Sequence, residues 1–421
     1  MKLFIVKFNE ISHPQIISNQ LSLSSNYLSL KKSRMQNIFD EFPSISKEEW
    51  LKKIEKDLRG KPYSDLQWQL EDNIQLDSLY HPDDHIPVPS VPWNATKDND
   101  WEIGEYIIDD QAAEANKLAL NALKGGAEAL LFRLKKEIKK EDLAILLNGI
   151  EMDMISTHFE QFYSDKDPVQ LLHLIFELLK ETKKDPSVIE GSIDFDPILD
   201  WVDPPMDKMK ACIEFCQKNM PQFKILQVNG REYHGGNEYS SRELGYILAK
   251  GNEYLSYLSE QGLEPALVNQ HMQFAISIST SFFVEIAKLR AFRLLWGNVL
   301  KAHGVDHNEM PPVEVHLASE TQVKDIHTNM IRATTQSMSA VIGGADRLYV
   351  RPANMVKKEN PTPFTSRIAR NVQHLLKMES YLDRVMDPAA GSYYIEALTN
   401  KLAQEAWTKF QEIEANKEFS P

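Results

Sequence analysis

Cysteine is nearly absent from the 421 residues: Cys212 and Cys216 are the only two. They stand four apart in a helical stretch, so neither a disulfide framework nor a four-ligand zinc site can be made from them. A basic excess is absent as well. Lys and Arg number 47 against 61 Asp and Glu, a net charge of −14, which argues against a nucleic-acid groove or an anionic membrane surface as the main partner. No apolar run approaches the roughly 20 residues that a membrane span requires. These absences point to a cytoplasmic protein with neither nucleic acid nor membrane among its partners. The phosphate-binding fingerprints G-x-G-x-x-G and G-x-x-x-x-G-K-[ST] are missing, as are H-E-x-x-H and G-x-S-x-G. What is present is 42% hydrophobic and 26% charged, an ordinary globular composition whose length allows two or three domains or one large barrel with additions.

Residues 1–36 differ from the rest. They hold seven serines, from Ser12 to Ser33, and one acid, Glu10. An acid-poor, Ser-rich start has the composition of a transit peptide, but Arg34 is its only arginine, so the amphipathic basic face is lacking. A disordered tail, or a start codon placed too early with Met35 as the true start, is the plainer reading. An arm follows over 37–96. Ser46-Lys-Glu-Glu49 forms a capping box, Trp50, Ile54 and Leu58 make one apolar stripe, and Gly60 stops the helix. From Leu76 to Asn94 the chain carries Pro82, Pro87, Pro89 and Pro92 with no helical or strand period. Such an extended arm has no core of its own and must lie on this chain or on a partner; the partner surface is the expectation.

From Trp101 onward β-rich runs alternate with amphipathic helical stretches. The runs are Trp101–Ile108, Ala127–Leu134, Ser156–Phe162, Gly191–Pro197, Phe223–Val228, Phe274–Ser279, Val313–Ser319 and Arg347–Arg351. The clearest helical stretches are 112–123, 169–180, 241–258, 282–302, 330–341 and 366–381. Phe282, Ile286, Leu289, Phe292 and Trp296 recur in steps of three and four, one buried face. Cys212 and Cys216 share a face with Met209 and Ile213 and are expected to be core. Eight strand–helix units predict an α/β protein, a (β/α)8 TIM barrel over 97–396 with an extended N-terminal arm and a C-terminal helix and end over 397–421.

In such a barrel, chemistry sits at the C-terminal ends of the strands. The candidates there are Glu232 and His234 after the fifth run, His271 and Gln273 near the sixth, and His316, Glu320, Asp325 and His327 at the seventh. Glu and His pairs serve acid–base catalysis or metal ligation, yet each of these is more readily a solvated loop residue. His303 and His307 are interrupted by Gly304 at a helix end. By residues alone this is a barrel with a polar mouth and no self-evident chemistry.

Several segments together carry a family resemblance. Phe282-Phe-Val-Glu-Ile-Ala-Lys-Leu-Arg-Ala-Phe-Arg-Leu-Leu-Trp296, the stretch from Asn329-Met-Ile-Arg-Ala-Thr-Thr-Gln336 through Val341-Ile-Gly-Gly344, Arg367-Ile-Ala-Arg-Asn371 and Asp387-Pro-Ala-Ala-Gly-Ser-Tyr-Tyr394 resemble the methylmalonyl-CoA mutase family over roughly residues 37–415. The arm, with Phe42-Pro and Lys56-Asp-Leu-Arg-Gly-Lys-Pro-Tyr63, resembles that of the small (beta) subunit of the bacterial heterodimeric enzymes. The resemblance implies an isomerase of propionate metabolism that interconverts succinyl-CoA and methylmalonyl-CoA with adenosylcobalamin.

The departures from the family pattern matter more than the matches. The family's large subunit carries Ser-Gly-Tyr-His after the fifth strand; at the same spacing this chain has Asn229-Gly-Arg-Glu232. Glu232 therefore replaces the catalytic imidazole, and His234 is two residues out of register. His271 and Gln273 stand where an Arg and a Ser contact CoA. Trp101-Glu-Ile-Gly-Glu-Tyr106 replaces a Thr-x-Arg-Gln-Tyr-Ala-Gly run of substrate contacts. The cobalt-ligand motif Asp-x-His-x-x-Gly is begun at Asp83/His85 and Asp325/His327, but Val88 and Met330 take the Gly position. The chain ends near where a cobalamin domain would start, as a short natural form or after removal of that domain. The expectation is a non-catalytic small subunit with no catalytic residue and no metal ligand. Glu232, His234, His271 and Gln273 would be degenerate pocket positions, and adenosylcobalamin would reside on a large (alpha) partner subunit. The alternatives are a family barrel with its own acid–base activity through Glu232 and His234, or a split mutase served by a separate cobalamin-binding chain.

Overall fold

The computed structural model describes residues 44–93, 98–236, 239–357, 359–417 and 419. The tail expected over 1–36 lies outside the described residues, as do 37–43. Two compact units divide between Asp65 and Leu66. The first contains helix α1 (Lys47–Leu58). Its capping box is in place: Ser46 Oγ accepts from the Glu49 amide at 3.3 Å, and Glu49 Oε2 accepts from the Ser46 amide at 3.1 Å. The left-handed cap falls on Arg59 (φ 52°), one residue before Gly60.

The second unit begins with a hairpin absent from the sequence reading, β1 (Trp68–Glu71) antiparallel to β2 (Ile74–Leu76). Strand–helix units follow. β3 (Glu102–Ile107) leads to α2 (Ala112–Lys124), β4 (Ala129–Leu134) to α3 (Lys140–Leu146), and β5 (Ser156–Gln161) to α4 (Pro168–Glu181). β6 (Gly191–Ile193) leads to α5 (Pro197–Asp200) and α6 (Met206–Asn219). The fifth strand comes in two pieces, β7 (Phe223–Lys224) and β8 (Leu226–Asn229), before α7 (Ser240–Glu260) and α8 (Pro265–Gln270). The last units are β9 (Met272–Ile278) with α9 (Phe282–Ala302), β10 (Val313–Leu317) with α10 (Ile326–Ile342), and β11 (Arg347–Tyr349) with α11 (Pro363–Met378); α12 (Tyr393–Asn416) closes the chain.

The strand order is β7-β6-β5-β4-β3-β11-β10-β9-β8, and the pairings are parallel. Its two ends, β7 and β8, are one strand joined through Ile225, so the sheet closes into the expected eight-stranded barrel. The main apolar core lies between strands and helices, with Phe274, Phe292 and Trp296 fully buried. Helix α9 is buried on nearly every side because α12 packs across α7 and α9 outside the barrel. Cys212 and Cys216 belong to this core with Met209 and Ile213. Burial pushes the Cys212 thiol up to about 12 and the Cys216 thiol up as well, so neither is a thiolate at neutral pH.

Helix α12 begins at Tyr393, inside the span expected for the barrel, and it changes the account of the arm. Residues 68–93 do not await a partner surface; they lie on this chain. Leu70, Ile74, Leu76 and Val91 are buried. The Ser241 amide donates to Glu71 at 2.9 Å, Asn73 Nδ2 to Glu405 at 3.0 Å, Lys401 Nζ to the Gln75 carbonyl at 2.5 Å, and Asn400 Nδ2 to the Pro87 carbonyl at 2.8 Å. Trp93 sits beneath the Arg293 guanidinium, 4.8 Å from its ring centre, and over Gly344, where any side chain would collide with the indole. The outer layer made by α7, α9 and α12 supplies the bed that the Pro-rich arm lacks in itself.

Candidate functional site

Inward-facing positions alternate along each strand, and in most barrels they hold Val, Ile and Leu. Here the lumen holds a small apolar cluster of Tyr106, Ile108, Leu131 and Tyr349. Its other buried members are polar. Contacts between side chains of non-adjacent strands must cross the lumen, and three tiers of such contacts are present.

At the lower tier Gln227 Nε2 (β8) donates to Glu314 Oε1 (β10) at 3.1 Å, and Gln273 (β9) bonds Gln227 and, at 2.8 Å, Ser192 Oγ (β6). Arg347 holds Glu102 at 2.6 Å and Glu314 at 3.5 Å. In the middle tier Tyr106 OH (β3) is 2.7 Å from His316 Nδ1 (β10), and His316 Nε2 is 3.2 Å from Glu314 Oε1. Burial pushes His316 down to about 4, assisted by Arg231, so the ring is neutral; it donates from Nε2 to the carboxylate and accepts from the tyrosine hydroxyl. His158 Nδ1 bonds Ser192 Oγ at 2.8 Å, and burial holds His158 well below the usual imidazole range. Tyr349 stacks on His316 at 5.0 Å between ring centres. Gly104 in β3 makes room for it, since a Cβ there would stand 2.6 Å from the tyrosine ring.

The upper tier closes the mouth. Arg231, in the turn after β8, folds inward and reaches Glu160 (β5) at 3.0 Å and Asp194, just after β6, at 2.9 Å. Arg133 (β4) adds a second guanidinium to Glu160 at 2.5 Å. Burial raises the Glu160 carboxyl, but Arg231 and Arg133 outweigh it and hold the group at about 2. Burial dominates at Asp194, which is pushed up to about 8 despite Arg231. Two carboxyl groups thus share the guanidinium of Arg231, one of them also held by Arg133, and the lumen is bonded to itself from bottom to top.

The residues singled out from sequence are scattered rather than gathered. Glu232 is exposed on the 3-10 turn Arg231–Tyr233; its neighbour Arg231, not Glu232, enters the barrel. His234 is clamped between Glu243 at 2.9 Å and Glu320 at 3.1 Å. Burial and Lys288 favour its neutral ring, but the two carboxylates prevail and raise it to about 9. Glu243 and Glu285 in turn hold the buried Lys288 Nζ, at 3.2 and 2.8 Å. His271 caps α8 just before β9, with Nδ1 bonded to the Phe223 carbonyl at 2.8 Å. Gln273 alone of the four faces the lumen, in its lower tier. Asp325 caps α10, accepting from the His327 and Thr328 amides, and His327 is exposed. His158, Glu160, Asp194 and Arg231 escaped the sequence reading, although the alternation His158-Phe159-Glu160 inside a strand was their signal.

A family model described as Methylmalonyl-CoA mutase matches residues 138–417. The chain belongs to the methylmalonyl-CoA mutase family. It is 33% identical over 409 residues to the methylmalonyl-CoA mutase small subunit of Porphyromonas gingivalis, covering 90% of this chain and 64% of that one. It is 28% identical to the small subunit of Propionibacterium freudenreichii subsp. shermanii, covering 89% and 62%, and 28% identical to the methylmalonyl-CoA mutase of Rhizobium meliloti, covering 87% and 58%. The chain spans about three fifths of the length of these curated relatives. Adenosylcobalamin, which the family implies, does not fit the residues described. His85 and His327 are exposed with no Gly three residues on, and the mouth that would face a corrin is filled by Arg231, Glu160 and Asp194. Among the described residues no cluster of three or more His, Cys, Asp or Glu is placed to hold a metal, and no helix is long and apolar enough to cross a membrane.

Proposed function

We propose that this chain is the small, non-catalytic subunit of a heterodimeric mutase that interconverts succinyl-CoA and methylmalonyl-CoA. In this reading it stabilises a large subunit that binds adenosylcobalamin and does the chemistry, in the propionate metabolism of the cytoplasm. The observation that carries the reading is the lumen bonded to itself: an acyl-CoA has no channel where Gln227–Glu314, Tyr106–His316 and Arg231–Glu160 span it. The relatives named small subunits support the same assignment.

The chemistry of the replaced positions agrees. Glu232 is exposed and Arg231 enters the barrel in its stead, so no imidazole stands where the family would hold a thioester oxygen. Own acid–base activity through Glu232 and His234 is disfavoured. One is solvent-exposed, and the other, with a pKa of about 9, is protonated at neutral pH and is no base. A split mutase with a separate cobalamin chain meets the same filled lumen.

The test is co-expression with a large mutase subunit. The two chains should copurify, the large chain should melt several degrees higher in the pair, and this chain alone, given adenosylcobalamin and methylmalonyl-CoA, should show no isomerisation. Turnover by the isolated chain would overturn the reading, and so would indifference of the large chain to its presence.

A further inference from the structure

The surface on the C-terminal side of the barrel carries a run of aromatic rings anchored on the shell through Tyr394 and reaching out to solvent. Phe282 and Phe283 open α9 just beyond β9, Tyr393 and Tyr394 open α12, and Tyr80 of the arm joins them. The ring centres of Phe282–Phe283, Phe283–Tyr394 and Tyr394–Tyr80 lie 5.4, 5.5 and 5.9 Å apart. Phe283 is 52% exposed, Tyr393 42% and the neighbouring Leu79 47%. Three separate chain segments therefore converge to present rings to solvent. Isolated exposed apolar residues are ordinary, but a contiguous aromatic patch marks an interaction surface.

The charge beside the patch selects what fits. Asp77 and Asp84 both act on the Tyr80 hydroxyl, and Asp83 lies between them in the chain, half exposed. On the α12 side the Arg290 guanidinium is spent on Asp387 and Glu396, at 2.9 Å each. Ring faces attract cations, carboxylates pair with guanidinium, and arginine satisfies both at once while its stem covers apolar area. Tyrosine and phenylalanine facing arginine are also the composition of interface centres.

We propose that this patch docks an arginine-bearing apolar segment of the large mutase subunit. The proposal rests on the small-subunit reading above and adds where and by what chemistry the partner is held. The experiment compares three forms of this chain for copurification and affinity with the large subunit: the natural sequence, Phe283→Ala/Tyr393→Ala, and Ile331→Ala on the exposed face of α10 as a control. Phe283 and Tyr393 are half exposed, so the double variant should melt close to the natural chain. Its affinity should fall about thirtyfold or more, as expected for hot-spot aromatics, whereas Ile331→Ala should bind as the natural chain does. A second variant, Phe283→Lys, should weaken binding further, because it removes the ring and sets a cation against the partner's arginine. Unchanged affinity of the double variant beside a natural chain that binds would overturn the patch and leave the subunit reading standing. Failure of the natural chain to bind would remove both. Self-association of the isolated chain that Phe283→Lys abolishes would reassign the patch to a second copy and overturn the proposal.

Discussion

The barrel buries two unlike interiors. Between strands and helices it packs Phe274, Phe292, Trp296 and their apolar neighbours; within the strands it packs Glu160, Asp194, His158, His316, Gln227 and Glu314, with Arg231 closing the mouth over them. The first is held by non-directional apolar burial and tolerates reshaping as long as volume is kept. The second depends on every member finding its partner, since an unpaired buried charge is costly while an apolar replacement of the whole group is often neutral or stabilising. A polar lumen is therefore not what stability alone would select. These side chains occupy the place where a ligand-binding barrel puts its ligand contacts, and most of them bond one another instead, with His158 Nε2, Gln273 Oε1 and Tyr349 OH left without a hydrogen-bond partner.

That contrast can be broken from either side. The largest effect belongs to the shell: Trp296 is fully buried, 4.7 Å from Phe274 between ring centres, and Trp296→Ala should cost about 3–5 kcal/mol in urea unfolding. In the lumen, Arg231→Met strands Asp194 and half of the Glu160 pairing. It should cost about 3 kcal/mol, at the low end of the range for a broken buried pair because Arg133 still holds Glu160. Adding Asp194→Asn should return part of that loss; if the two changes simply add, the three groups are not one network.

His234 sits at the seam between the two interiors and gives the comparison a pH axis. Its folded-state pKa, about 9, lies above the unfolded value near 6.5, so the folded protein binds the extra proton. The stabilisation is fully present below about pH 6.5 and is lost as pH rises through about 9. It should amount to about 2 kcal/mol, reduced from the full shift because Glu320 is half exposed. Denaturation series at pH 6 and pH 9.5 should show that fall in the natural chain and a flatter profile in His234→Gln. The smallest effect belongs to Glu232→Ala, which touches an exposed side chain and should change stability by less than about 0.5 kcal/mol. Melting curves that separate it clearly from the natural chain would put Glu232 in a network that its exposure denies.

The same contrast explains what the sequence made legible. Shell periodicity is a local signal: the three- and four-residue steps of Phe282 to Trp296 mark α9 at 282–302, and the eight β-rich runs each overlap an observed strand, the sixth missing its first two residues, Met272 and Gln273. Hairpin β1–β2 was missed because its strands are four and three residues long. The arm was assigned to a partner because its bed is built by α12, more than 300 residues away in the chain. The lumen was the least legible. Register with a family motif points to Glu232, yet the 3-10 turn Arg231–Tyr233 puts Arg231 inside and Glu232 outside. Partners such as Tyr106 and His316, 210 residues apart, become neighbours only when the barrel closes.

A lumen filled by the chain's own side chains leaves no room for a substrate. Calorimetric titration of the isolated protein with methylmalonyl-CoA, with and without adenosylcobalamin, tests this most directly. No saturable binding should appear at millimolar ligand in either case; micromolar binding that Arg231→Met alters would mean that the lumen opens to a substrate, and would contradict it.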